Sequence, residues 1–163
     1  MIRKTIVMAT LVATVACTKR VVETTISPAA GAATSAQLAK PLDGPPGADS
    51  ARGAVRLFLA GVRAQDLRGM SAVWGDNKKP YAEMLKREEL EKRLIVIQCL
   101  LGHDKWQFAE ERARLVTGGR QEYLITLQQK TLKGTTKFTV VANPAGRWFV
   151  EDIDLAQLKD FCR

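Results

Sequence analysis

From residue 51 onward, apolar positions recur first at helical and then at strand spacing. Val55, Phe58, Leu59 and Val62 fall on one face of a helix expected over Ala51 to Gln65, because residues three and four apart share a face. Ser50 stands where an N-cap belongs. Asp66 is placed to cap a second helix with Leu67, Met70, Val73 and Trp74 turned inward, closing near Gly75. Asp76 to Pro80 reads as a loop, and Tyr81 to Leu85 as a short turn. In a third helix Leu90, Leu94, Ile97 and Leu101 repeat on one face, and Ile95, Val96 and Leu100 widen the stripe almost round the axis. That pattern predicts a helix covered on more than one side. Its first turns mix charges at i, i+4 spacing, as in Glu88 with Lys92 and Glu89 with Arg93, which suits a solvated start. Gly102 ends it.

Beyond Gly102 the period shortens. Trp106 to Val116 is expected as one strand, and Gly118-Gly119 as a hairpin turn. Glu122 to Lys130 puts Tyr123, Ile125 and Leu127 on one face, and Thr135 to Asn143 does so with Phe138, Val140 and Ala142. Asn143-Pro144-Ala145-Gly146 is turn chemistry. Arg147 to Asp154 is a last strand, with Trp148 and Val150 on one face and Phe149 and Ile153 on the other. Asp154 is placed to cap a short final helix carrying Leu155, Leu158 and Phe161. The prediction is an α+β domain: three N-terminal helices packed in a curved antiparallel sheet of about four strands, followed by a short C-terminal helix.

The first fifty residues have a different character. Arg3-Lys4 precedes an apolar run from Ile6 to Ala16 broken only by Thr10 and Thr14. The run is shorter than the roughly 20 residues a membrane-spanning helix needs, so residues 1–16 read as a signal peptide. The run ends Thr14-Val15-Ala16-Cys17, which resembles the lipobox of bacterial lipoproteins, although Thr14 stands where a large aliphatic residue is usual. The resemblance implies a lipidated Cys17 and, with Thr18 rather than Asp after it, an outer-membrane address with the domain in the periplasm. Ordinary cleavage near Ala16, giving a soluble secreted protein, is the alternative. Residues 18–50, rich in Ala, Thr, Ser, Gly and Pro, hold no sustained period and read as a flexible linker after the lipidated cysteine.

Composition narrows the function classes. Apolar residues make up 46% and charged residues 26% of 163, which excludes collagen-like, coiled-coil and wholly disordered chains. One histidine excludes a multi-histidine metal site, and two domain thiols add no familiar ligand spacing, so neither metal nor cofactor is expected. The net charge is +8; Arg3 and Lys4 belong to the leader and the linker is neutral, leaving +6 on residues 51–163. No block of like charge and no nucleic-acid-binding motif accompanies it.

Three stretches carry a further resemblance: Ala54-Val55-Arg56-Leu57-Phe58-Leu59-Ala60-Gly61-Val62 with Asp66 beyond, Ala72-Val73-Trp74, and Gly146-Arg147-Trp148-Phe149-Val150. Over roughly residues 51 to 155 the chain looks like the nuclear transport factor 2-like superfamily, a curved sheet wrapped round a long helix as a cone. The superfamily includes small isomerases and dehydratases as well as non-catalytic binding domains, and its members often dimerise through the sheet. The resemblance licenses a fold, not an activity.

Several residues are candidates for chemistry. His103-Asp104 is an acid–base-looking pair, against a structural role at the helix end. Cys99 and Cys162 suit a disulfide in an oxidising envelope, against two buried free thiols. Trp74, Tyr81, Trp106, Tyr123 and Trp148, with Gln98, Arg112 and Gln128 for polarity, could line a cone pocket, against simple core filling. The leading expectation is a non-enzymatic, lipid-anchored envelope domain that binds a partner or a small apolar ligand. The alternatives are a small isomerase- or dehydratase-like enzyme using His103 as base, and a basic domain docking on anionic envelope polymers.

Overall fold

A computed structural model describes residues 44–163; the leader, Cys17 and most of the linker lie outside the described residues. The described part is α+β. Helices α1 (Ala51–Ala64), α2 (Leu67–Ala72) and α3 (Arg87–Leu100) precede strands β1 (Lys105–Phe108), β2 (Arg114–Val116), β3 (Arg120–Gln129), β4 (Leu132–Ala142) and β5 (Trp148–Ile153). A 3-10 helix over Ala156–Cys162 closes the chain. All strand pairs are antiparallel, in the order β1-β3-β4-β5, with β2 also pairing β3.

The caps form where the side chains predict them. The Ser50 hydroxyl accepts from the Gly53 N–H at 3.1 Å and the Asp66 carboxylate from the Gly69 N–H at 2.9 Å, each meeting a donor the helix leaves unused. The α1 stripe of Val55, Phe58, Leu59 and Val62 is buried and packs on β4 and β5, with Phe58 edge-on to Phe138 at 6.1 Å. Tyr123, Ile125 and Leu127 from β3 and Phe138 and Val140 from β4 complete that core.

Several elements differ from the periodic reading. The strand expected over 106–116 is two, separated by a bend whose Glu110, Glu111 and Arg112 are exposed. Three consecutive charged residues alternate with nothing, and the Arg52 guanidinium fixes the bend by donating to the Glu111 carbonyl at 2.7 Å. Helix α2 stops at Ala72, and Trp74 bridges Val150 in parallel. The Gly75 N–H donates to the Val150 carbonyl at 3.0 Å, and the Val150 N–H to the Val73 carbonyl at 2.9 Å. Backbone pairing with a free sheet edge outcompetes another turn of a six-residue helix. Helix α3 is less covered than its composition predicts. Leu90 and Leu94 are buried, whereas Ile95 and Val96 are 53% and 56% exposed, because α3 packs chiefly against α2, the 81–83 turn and the C-terminal 3-10 helix on one side.

The register of β5 also departs from simple alternation. Asp152 faces Thr139 and Val150 faces Val140, so Glu151 is an extra, bulged residue. The bulge puts Val150 and Ile153 on the same, core-facing side. Phe149 and Val141, paired with each other, are buried on the opposite face. What covers Phe149 is the end of the expected linker. Ala48 and Trp148 exchange two backbone bonds of 2.8 Å, and Gly47 (φ +87°) lies so close that a Cβ there would meet the Phe149 ring at 2.8 Å. Arg147 holds this strap, donating to the carbonyls of Pro45 and Pro46 at 3.3 Å each, and to the Gly47 carbonyl and the Asp49 carboxylate. The folded part therefore begins before Ala51.

The Arg147 fork explains more than its one ion pair, which is solvent-exposed on the Asp49 side and worth little by itself. Arg147→Ala is expected to destabilise the domain by about 1–3 kcal/mol, since several charge-assisted bonds to carbonyls are lost. Arg147→Lys should not restore it, because an ammonium cannot fork. Denaturant midpoints together with faster amide exchange at Ala48 would check this; unchanged exchange there would refute the clamp.

Candidate functional site

The polar interior of this domain centres on His103. Gly102 breaks α3, and the chain turns into β1 with His103 only 8% exposed. Its Nδ1 lies 2.8 Å from the Leu101 carbonyl. A carbonyl only accepts, so Nδ1 carries the proton in that bond. Burial is the largest influence on the imidazole and pushes its pKa below the ordinary value, the Leu101 bond opposing and the nearby Arg63 charge reinforcing the shift. Neutral His103 with a proton on Nδ1 leaves Nε2 as a bare acceptor, and that atom is buried without a partner among the described residues.

An open cavity of about 560 Å³ adjoins His103, within the roughly 300–1,000 Å³ of small-molecule sites. The C-terminal ends of α1 and α3 form one side, with Val62 and Arg63 from the first and Ile95 and Gln98 from the second. Gln129 at the end of β3 and Phe161 of the C-terminal 3-10 helix form the other. Gln98 Nε2 is a second buried polar atom without a partner. Both nitrogens are covered by protein, although other atoms of the two residues line the cavity.

The C-terminal wall is fixed in two ways. Cys99 and Cys162 form a disulfide across 63 residues, with Cα atoms 5.0 Å apart, and both residues are exposed. Leu158 and Phe161 lie on β4 at Gly134, where a Cβ would meet their side chains at 2.8 and 3.0 Å and have to displace them.

The other candidate residues lie elsewhere. Asp104 does not bond His103; its carboxylate accepts from the Lys130 N–H at 2.7 Å and ties the β3–β4 turn. Trp74 packs edge-on to Tyr81 at 4.9 Å, and the Tyr81 hydroxyl donates to the Glu151 carbonyl at 3.3 Å, which the bulge makes available. Burial first, then the Glu151 charge, raises the Tyr81 pKa. Trp106 and Tyr123 flank Phe108 at 5.3 and 5.4 Å, with the Arg52 guanidinium 4.0 Å above that ring. Trp148 pairs with Ala48, Arg112 is exposed on the bend, and the Gln128 amide donates to the Lys130 carbonyl at 3.4 Å. Of the expected pocket residues, Gln98 alone lines the His103 cavity. Arg63, Gln129 and Phe161, which also line it, carry no local signal: each is an ordinary residue brought there by the packing of chain ends. Among the described residues no group of three metal-ligating side chains exists, and no helix is long and apolar enough to cross a membrane.

No known family model matches the chain, and no curated protein or solved structure does so.

Two outcomes follow from this geometry. A histidine whose folded pKa is depressed binds fewer protons folded than unfolded, so its contribution disfavours the native state as pH falls below about 6.5, the ordinary histidine value. The native protein should lose more stability between pH 7 and 5 than His103→Gln does, Asp104 and Arg63 being common to both; equal losses would refute the buried neutral imidazole. Cys162→Ser should lower stability by roughly 2–4 kcal/mol, and dithiol treatment of the native protein should bring its unfolding midpoint to that of the variant.

Proposed function

We propose that the chain is a lipid-anchored protein of the bacterial cell envelope, held to the outer membrane through Cys17, with a non-enzymatic domain that binds a small ligand in the cavity beside His103. The observation that carries this reading is the Cys99–Cys162 bridge between two solvent-facing cysteines. An exposed disulfide persists in an oxidising compartment and not in the cytosol. It agrees with the leader-like run from Ile6 to Ala16 that ends on Cys17. The order of three helices followed by an antiparallel meander, with α1 laid on β4 and β5, supports a nuclear transport factor 2-like cone as the finer description of the fold.

The enzymatic alternative has less support. A general base needs a reachable nitrogen and an orienting partner. Asp104 is engaged with Lys130, and His103 Nε2, the nitrogen that would take the proton, is covered by protein.

Mass spectrometry of the protein extracted from its host tests the reading. The expected species lacks residues 1–16, carries acyl chains on Cys17, holds Cys99–Cys162 oxidised and retains a small molecule under gentle conditions. Full-length chain in the soluble cytosolic fraction with all thiols reduced would refute it.

A further inference from the structure

Away from the His103 cavity one face of the sheet is open to solvent, and the strand register fixes what it carries. Tyr123, Ile125 and Leu127 of β3 face the core, so Leu124, Thr126 and Gln128 face the other way. Residues directly opposite on neighbouring strands share a face. Gln128 lies between Lys105 of β1 and Lys133 of β4, and Thr126 between Gln107 of β1 and Thr135 of β4. Lys137 follows along β4, opposite Leu124. Lys105, Gln107, Gln128, Lys133 and Thr135 are exposed. By strand spacing and rise, the backbones of Lys105 and Lys133 stand roughly 10 Å apart, and Lys137 roughly 13 Å further along.

No carboxylate stands in the first two of these rows. Lys105 and Lys133 make no ion pair among the described residues, and the neighbouring Asp104 carboxylate is engaged by the Lys130 N–H at 2.7 Å. Lys137 pairs with Glu122 at 3.1 Å, but an ammonium has three donors and keeps others for a second anion. Between the cations stand hydroxyls and amides, which both donate and accept. That combination selects the occupant. A membrane surface attracts through charge and takes in apolar side chains, and these rows offer only Leu124, 38% exposed. Single-stranded nucleic acid is held on aromatic platforms with arginine, and these rows have neither. A sugar chain bearing carboxylates uses both the cations and the hydroxyls and amides between them.

We propose that this face of β1, β3 and β4 docks an acidic polysaccharide, its carboxylates on Lys105, Lys133 and Lys137 and its hydroxyls against Gln107, Thr126 and Thr135. None of these residues lines the His103 cavity, so the proposal stands apart from the small-ligand reading.

Polygalacturonate and alginate are the probes, with fully methyl-esterified polygalacturonate as the uncharged chain, and binding to the purified protein is read by titration calorimetry. At least one uronate chain should bind, more weakly as salt is added, and polygalacturonate should lose about fivefold or more on esterification. Lys105→Gln with Lys133→Gln should weaken binding about threefold or more. Lys78→Gln with Lys79→Gln, the same change of charge in the exposed 76–80 loop, should leave it unchanged. Thr126→Val with Thr135→Val keeps the charge and the strand shape, and should weaken binding about twofold or more through lost hydrogen bonds. The proposal is overturned if neither uronate chain binds, if the two lysine pairs weaken binding equally, or if the threonine pair has no effect. It is also overturned if the protein prefers phosphatidylglycerol to phosphatidylcholine vesicles and loses that preference with Lys105 and Lys133, which would assign the face to a membrane.

Discussion

The α1 stripe against the inner face of β4 and β5 is the contact on which the rest of the domain depends. Val55, Phe58 and Leu59 are fully buried there, and burying each such side chain contributes about 1.5–3 kcal/mol before entropy is counted. The contact holds α1 on the sheet, and the end of α1, closed by Gln65 at φ +55°, supplies Val62 and Arg63 to the cavity. It also orients the α1–α2 turn, in which Asp66 both caps α2 and donates its backbone N–H to the Gly61 carbonyl at 2.9 Å. A shift of α1 along the sheet would move the site with it.

The sheet edge at β5 is a second organising feature, because a free strand edge needs cover. Here Ala48 and Trp74 both pair with β5 residues, one antiparallel and one parallel. The Glu151 bulge lets a single strand serve two layers, with Val150 and Ile153 in the main core and Phe149 beneath the Gly47 strap. The bulged residue is itself used: its carboxylate makes two bonds to Arg120, one of 2.7 Å, and its carbonyl accepts from Tyr81. Stability and local polarity therefore meet at one irregularity.

Around His103 the chemistry is of a different kind. A helix end, the start of a strand and the chain's last turn converge, and the disulfide ties the first to the last. His103 is fixed by a bond to a carbonyl two residues earlier, so its free nitrogen has a defined character. Val62, Ile95 and Phe161 give the adjoining cavity apolar walls, and Arg63 gives it a cation.

The sequence by itself determined most of the elements and the buried faces of α1 and β3. Spacing of three and four placed the α1 stripe, and alternation placed Tyr123, Ile125 and Leu127, because these periods follow from backbone geometry alone. The Ser50 and Asp66 caps were legible for the same reason, since a cap acts within three residues. The Cys99–Cys162 pairing was one of two readings open to the two domain thiols, and their approach in space decides between them. What only the tertiary structure decided were the long-range matters: the break in the 106–116 segment, the strap over Phe149, the bulge that turned Ile153 inward and the exposed side of α3. Competition among distant partners settles each of these. The cavity belongs to this second group. Arg63, Gln98, Gln129 and Phe161 are far apart along the chain, and nothing local to any of them foretells that packing will set them around one histidine.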